Sequence, residues 1–319
     1  MPDLLKILGQ FHDFLDSRAS SADAHPGGHI TVTGGEPFLR KDFLDLLDAL
    51  AAAKPRVSFA ILTNGTCIDA AMAARLRKLG PRFVQVSIDG SRDVHDKIRG
   101  CGTFDRAVEG LRHLVQQHIP TLISFTAHRG NFREFPKVAE LGVRLGVCRV
   151  WADRMIPFGR GSAMESLTPD ETREFIALLA DARRRQSRRW FGHTEIAMHR
   201  ALQFLAGGHA YSCTAGDTLL AIQPNGDLYP CRRLPILIGN VLHTPLATLY
   251  SQSATLRTLR DHSRICEGCE TCRNAERCRG GLRCLSYAAT GELFRSDPGC
   301  WLASVTSSVA ACDTNSPIY

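Results

Sequence analysis

The chain has 319 residues, of which 44% are hydrophobic, 22% charged and 7% aromatic, the profile of a globular protein with one large domain or two and enough length to bury a core. That composition excludes a disordered or collagenous chain, and apolar runs such as Val57 to Leu62 fall far short of the ~18 residues a membrane span needs. The net charge of +7, from 39 basic and 32 acidic residues, permits an acidic or nucleic-acid partner without requiring either.

Met1 leads into an acid-containing amphipathic stretch with no cleavage-type site, which predicts a cytoplasmic protein. Leu4, Leu5, Ile7, Leu8, Phe11, Phe14 and Leu15 recur at helical spacing and predict a helix over 3–15. Strand-like runs follow at His29 to Thr33, Val57 to Thr63, Phe83 to Ile88, Leu122 to Thr126 and Cys148 to Trp151, with helical patterns at 42–53, 69–79, 103–118 and 132–145 between them. This alternation of nearly all-apolar strands with helices predicts an α/β fold with a parallel sheet and crossover helices. Thr168, Pro169 and Glu171 form a capping box that opens a helix to Arg189. Its end carries Arg183, Arg184, Arg185, Arg188 and Arg189, either a solvated helix terminus favoured by the dipole or a binding patch. A second helix is predicted from Thr194 to Leu205, ended by Gly207 and Gly208. Leu219 to Gln223 and Leu228 to Arg232 flank Pro224, Asn225, Gly226 and Asp227, a β-hairpin signal. A boundary near residue 208 divides the chain into 1–208 and 209–319.

Gly34, Gly35, Glu36 and Pro37 directly follow the first predicted strand. Ligands of parallel sheets bind at the carboxyl ends of strands, where glycines admit a close ligand and a fixed carboxylate receives an amino group. The next two strands also end in polar residues, Thr63, Asn64 and Gly65 and then Ser87, Asp89 and Gly90, so the three ends read as the rim of one site. Twelve cysteines are many for a reducing compartment. Cys67, Cys101 and Cys148 stand singly and read as incidental thiols, Cys312 lies in the tail, and Cys213, Cys231, Cys266, Cys269, Cys272, Cys278, Cys284 and Cys300 cluster. Clustered thiolates point to zinc, copper(I) or iron-sulfur, and spacing alone does not separate zinc from iron.

The Gly34 to Pro37 turn, the Ser87 to Gly90 and His95 to Gly100 segments, and the cysteine array together resemble radical S-adenosylmethionine (SAM) enzymes with a SPASM domain. That group includes maturases of sulfatases, of the pyrroloquinoline quinone peptide and of other ribosomally made peptides. Cys213, Gly226, Cys231, Cys269, Cys272, Cys278 and Cys300 match its spacing. The resemblance implies a partial (β/α)6 barrel lacking its first strand, followed by a small cysteine-rich domain. It implies that Gly34, Gly35 and Glu36 hold the SAM amino group, with Pro37 shaping the turn and Ser87 and Asp89 near the ribose and methionine. Cys269, Cys272, Cys278 and Cys300 would ligate one auxiliary [4Fe-4S] cluster. Cys213, Cys231 and Cys284 would ligate another, whose fourth ligand is Cys266, an exogenous group or an unassigned side chain.

Two departures stand out. Sulfatase maturases tend to carry an aspartate where this chain has Arg232, and no Cys-x3-Cys-x2-Cys, the motif of the SAM-cleaving cluster, occurs in these residues. The expectation is therefore an N-terminally truncated peptide maturase, inactive as it stands, whose complete form takes SAM, a precursor peptide and an electron donor such as a flavodoxin or ferredoxin. The competing expectation is a non-catalytic cysteine-rich metal protein that recognises a peptide or passes electrons. A zinc-ribbon nucleic-acid binder has only the basic charge in its support. Among the remaining residues, His95 and Asp96 are expected to fix the loop before the next helix. Arg154, Pro157, Gly159 and Arg160 are expected to face the SAM carboxylate or a substrate, or to pair at the surface. Trp301 is expected to shield a cluster from water.

Overall fold

The computed structural model describes residues 1–18, 27–159, 164–187, 194–209 and 211–302. Helix α1 (Pro2–Arg18) precedes an alternating series: β1 (Gly28–Val32), α2 (Phe43–Ala52), β2 (Val57–Thr63), α3 (Ala70–Leu79), β3 (Val84–Ser87), α4 (Arg92–Arg99), α5 (Thr103–Gln116), β4 (Thr121–Ala127), α6 (Phe135–Leu145), β5 (Arg149–Arg154), α7 (Pro169–Ser187) and β6 (Glu195–Ala197). The six strands form one parallel sheet in sequence order. Alternate residues bury one face of it: Phe59, Ile61, Val84, Val86, Ile123, Phe125, Val150 and Ala152 join the helices in the main core. Residues of the other parity, among them Ser87, Ser124, Thr126, Trp151 and Asp153, share the opposite, more polar face. All six strands run the same way, so their carboxyl ends meet at one edge.

Local chemistry sets the helix boundaries. Asp69 caps α3 through its carboxylate, which accepts from Met72 N–H at 2.7 Å. The capping box before α7 is closed in both directions, with Glu171 N–H on the Thr168 hydroxyl at 3.2 Å and Thr168 N–H on the Glu171 carboxylate at 2.9 Å. Arg184 and Arg185 at its end pair with Asp181, which accords with a solvated terminus; Arg188 and Arg189 lie outside the described residues.

Asp96 fixes the loop before α5 as expected, accepting from Gly102 and Phe104 N–H at 2.8 Å each, and it does so from a helix of its own, α4. One expectation about the elements is corrected. Thr194 to Leu205 is not one helix but strand β6 followed by a 3-10 helix, Ala201–Ala206. The edge of β5 decides this: Glu195 N–H donates to Cys148 O at 2.9 Å and the Thr194 hydroxyl to Val147 O at 2.7 Å, and pairing with a neighbouring strand overrides local helical periodicity.

The cysteine-rich part begins with the expected hairpin, β7 (Ala221–Ile222) and β8 (Asp227–Tyr229), extended by a third antiparallel strand, β9 (Gly239–Asn240). Gly226 makes the turn at φ 89°, a left-handed conformation that favours glycine. Helices α8 (Leu246–Gln252), α9 (Ala254–Arg260), α10 (Ala275–Cys278) and α11 (Arg283–Thr290) complete the fold. Helix α1 packs its apolar stripe here, Ile7, Phe11 and Phe14 lying against Leu228, Val241 and Leu246, and Gln10 accepts from Leu246 N–H at 2.9 Å. No helix among the described residues is long and apolar enough to cross a membrane.

Candidate active site and thiol centres

Beyond β1, Glu36 ties two strand ends together. Its Oε1 accepts from the Thr63 hydroxyl at 2.7 Å and from Phe38 N–H at 3.3 Å, and its Oε2 accepts from Asn64 N–H at 2.7 Å. A carboxylate offers roughly four acceptor directions, so one stays open. A Cβ added at Gly34 or Gly35 would meet no heavy atom within 4 Å, so the turn just before Glu36 has open space beside its backbone. Pro37 is buried and starts the 3-10 turn Pro37–Leu39.

Ser87 is half-buried at the end of β3, whereas Asp89 is 3% exposed. The Asp89 carboxylate accepts from Arg99 Nε at 2.5 Å and from Thr126 N–H at 3.4 Å. Its backbone N–H donates to His95 Nδ1 at 3.2 Å, and burial pushes the His95 pKa down, favouring the neutral ring that can accept. Asp89 thus stands at the expected edge with both oxygens engaged inside the protein.

The cysteines fall into two neighbourhoods. Cys269, Cys272, Cys278 and Cys300 line one pocket with Leu202, Phe204 and Leu302. Burial, then the other thiols, pushes Cys269 up to about 12; burial, then Cys300, pushes Cys278 up to about 11. Sulfur donors gathered in an apolar pocket, where each disfavours ionisation of the next, suit a soft cationic centre that would take them as thiolates. Cys213, Cys231 and Cys284 form the second neighbourhood. Burial pushes Cys284 up to about 12, Cys213 and Cys231 adding to the effect and Arg233 opposing it. Cys266 stands beside Cys269, in the first neighbourhood, and its sulfur accepts from Arg283 Nη1 at 2.6 Å. Among the described residues no three His, Cys, Asp or Glu side chains gather closely enough to hold a single metal ion; a four-iron cluster takes one thiolate per iron and spaces its donors more widely.

Sequence reasoning missed the charged lattice joining these parts. Arg154, expected at a ligand or at the surface, is buried instead, and it makes a bidentate pair with Asp297 at 2.7 and 2.5 Å. Asp297 also accepts from Leu282 N–H at 3.3 Å and Gly299 N–H at 2.9 Å, which fixes the backbone beside Cys284 and Cys300. A carboxylate three residues before Cys300 was the available signal. On the polar face, Asp153 bonds Arg233 and lies 3.5 Å from Arg200 Nε. Burial opposes its ionisation, but Arg233 and Arg200 outweigh burial and hold its pKa below the usual carboxylate range. Trp301 packs half-buried against the main core, while Cys101 and Cys148 are exposed. Arg160 lies outside the described residues.

The sequence profile of the Radical SAM superfamily matches residues 16–142, and that of the SPASM iron-sulfur cluster-binding domain matches residues 213–273. An AdoMet-dependent heme synthase from Methanosarcina barkeri is 27% identical over 300 residues, covering 85% of this chain and 81% of that protein. The PqqA peptide cyclase of Streptomyces rochei is 27% identical over 287 residues, covering 88% and 77%. In structure the chain is similar to anSMEcpe with bound AdoMet and a Cp18Cys peptide, with a TM-score of 0.72 over 97% of this chain and 89% of that one, at 17% identity. The fold is shared with that solved structure, and by the two profile matches the chain belongs to the radical SAM superfamily and carries a SPASM iron-sulfur cluster-binding domain.

Proposed function

We propose that the chain supplies the SAM-holding and auxiliary-cluster parts of a maturase that installs a radical-mediated crosslink or oxidation on a ribosomally made peptide. The observation that carries this reading is the pairing of Glu36, with one acceptor direction open at the sheet edge, and a four-cysteine pocket in the same fold. Gly34, Gly35, Glu36 and Pro37 would hold the SAM amino group, Ser87 would flank the ligand, and Asp89 would act by positioning Arg99. Cys269, Cys272, Cys278 and Cys300 would ligate one [4Fe-4S] cluster. Cys213, Cys231 and Cys284 would ligate a second, leaving one iron to a ligand from elsewhere. When bound, the clusters supply electron transfer or substrate contact. The working division is 1–208 for SAM and 209–319 for the clusters, with a flavodoxin or ferredoxin as electron donor.

The superfamily's SAM-cleaving cluster takes its thiolates from a Cys-x3-Cys-x2-Cys segment that these residues do not contain, so on this reading the 319 residues do not cleave SAM by themselves. The peptide substrate rests on the similarity to a peptide cyclase. The similarity to a heme synthase over most of both chains favours a second reading, a tetrapyrrole substrate. Anaerobic reconstitution followed by iron and sulfide analysis and SAM titration tests the proposal: iron with sulfide and saturable SAM binding are expected, and zinc without iron would sink it. Mass spectrometry of a precursor peptide and of an iron tetrapyrrole after turnover by the protein with its upstream in-frame codons separates the two substrates.

A further inference from the structure

At the carboxyl end of β5 four guanidiniums meet two carboxylates. Arg154 is consumed by Asp297, and Arg233 by Asp153. Arg200 shares Asp153 from 3.5 Å, donates to the Tyr211 hydroxyl at 2.9 Å, and lies over the Trp151 ring at 4.5 Å and the Tyr211 ring at 5.1 Å. Those contacts hold its plane in place without cancelling its charge. Arg232 follows Cys231 directly, is exposed, and makes no hydrogen bond or ion pair among the described residues; its charged neighbours are Arg233, Cys231, Asp153 and Arg200. The cluster therefore carries positive charge beyond what its carboxylates balance.

A second observation, independent of charge, concerns Trp151. It shares the polar face with Asp153, and its indole Nε1–H is buried without an acceptor among the described residues. Buried donors are almost always paired. The excess guanidinium charge calls for an anion, and the unpaired N–H calls for a hydrogen-bond acceptor, which a carboxylate oxygen can be.

We propose that Arg232, backed by Arg200, is the residue that selects an acidic substrate, holding a carboxylate of the peptide beside the Cys213, Cys231 and Cys284 group. The proposal deepens the peptide reading and rests on it, because the groups of a genetically encoded peptide that are ordinarily anionic at neutral pH are its carboxylates. A guanidinium pairs with a planar carboxylate through two parallel N–H donors, and the sulfur group next to Cys231 sets where the held residue would lie.

The test uses the anaerobically reconstituted full chain and fluorescence anisotropy with labelled triglutamate amide, triglutamine amide and triglycine free acid. Wild type is expected to bind triglutamate at least ten-fold more tightly than triglutamine, with the preference weakening as salt rises. Arg232→Gln is expected to erase the preference, Arg232→Lys to keep part of it, and Arg200→Gln to reduce it. Tight binding of triglycine acid alone would assign the held group to the chain terminus, with the same loss in Arg232→Gln. Equal binding of triglutamate and triglutamine by wild type overturns the proposal without recourse to a variant. So does an Arg232→Gln protein that keeps the preference while its iron content or cluster potential shifts, since Arg232 would then serve only to balance the cluster. Binding of an iron tetrapyrrole in place of every peptide overturns the peptide source. Wild-type iron uptake and SAM titration, run alongside, show whether a failure belongs to Arg232 or to the functional reading beneath it.

Discussion

The Glu36 carboxylate already accepts three hydrogen bonds and by count has one direction left, and the preceding Gly34 and Gly35 have open space where a Cβ would stand. Glu36→Gln keeps the shape but sets an amide NH2 against one of the protein's donors and removes the charge that would attract an ammonium group. Hydrogen bonds to charged groups contribute about 1.5–3 kcal/mol, so SAM affinity is expected to fall at least ten-fold, with a lower melting temperature, both measurable by calorimetry. Unchanged SAM binding would remove Glu36 from the site. Asp89→Asn tests a different role. Its carboxylate is buried and meets Arg99 at 2.5 Å, and breaking such a pair costs about 3–5 kcal/mol when the partner is buried; because Arg99 is partly exposed, the lower end is expected in urea denaturation. Loss of SAM binding without loss of stability would instead make Asp89 a direct contact. Both residues were legible in the sequence because they follow apolar strands in turns. The partners that occupy Asp89 were not legible, since Arg99 and Thr126 reach it only once α4 and β4 are packed.

Between elements, the Arg154 and Asp297 pair joins the end of β5 to the backbone around Leu282 and Gly299. The chain makes room for it. A Cβ on Gly299 would stand 2.3 Å from Arg154 Nη1 and 2.7 Å from the Thr172 hydroxyl, so Gly299→Ala is expected to cost about 1–3 kcal/mol through overpacking. Asp297→Asn leaves a buried guanidinium short of charge and is expected to cost about 3–5 kcal/mol. Adding Arg154→Met to it should recover part of that loss in a double-mutant cycle, because no unpaired charge then remains. Additive losses would mean that the two residues act separately. This junction also marks the limit of sequence reading. The periodicity of α1, α5 and α7 reports directly which residues face a core, and the hairpin announces itself through Asn225 and Gly226. Residues 194–205 carry a helical pattern that misleads, because the strand Glu195–Ala197 exists only by pairing with β5. Arg154 looked like a ligand-facing residue because nothing local in the sequence marks a partner 143 positions away.

At the scale of the whole molecule the thiols couple metal content to stability. Burial and crowding raise Cys269 and Cys284 to about 12 and Cys278 to about 11, from an ordinary value of 9. A raised thiol pKa means that the folded, metal-free chain holds these protons more tightly than the unfolded chain does. The stability they confer is complete below pH 9, where both states are protonated, and is lost as pH rises through 11 and 12. Iron reverses the relation, because ligation requires thiolates and releases the same protons, so alkaline conditions favour the loaded form. Calorimetry of metal-free and reconstituted protein at pH 7 and pH 10 is therefore expected to show melting temperatures that diverge. The metal-free protein should weaken with pH while the loaded protein holds, and the stabilisation from loading should grow. The melting of α1 should follow the same pattern, since its apolar stripe packs on the second sheet and a glycine contact joins it to β1, where a Cβ on Gly28 would meet the Phe11 ring at 2.5 Å. Hydrogen exchange in α1 that slows on loading, together with exchange in the cysteine-rich part, would show one cooperative unit. Parallel melting curves at the two pH values would mean that the thiols do not take up a metal in the folded chain.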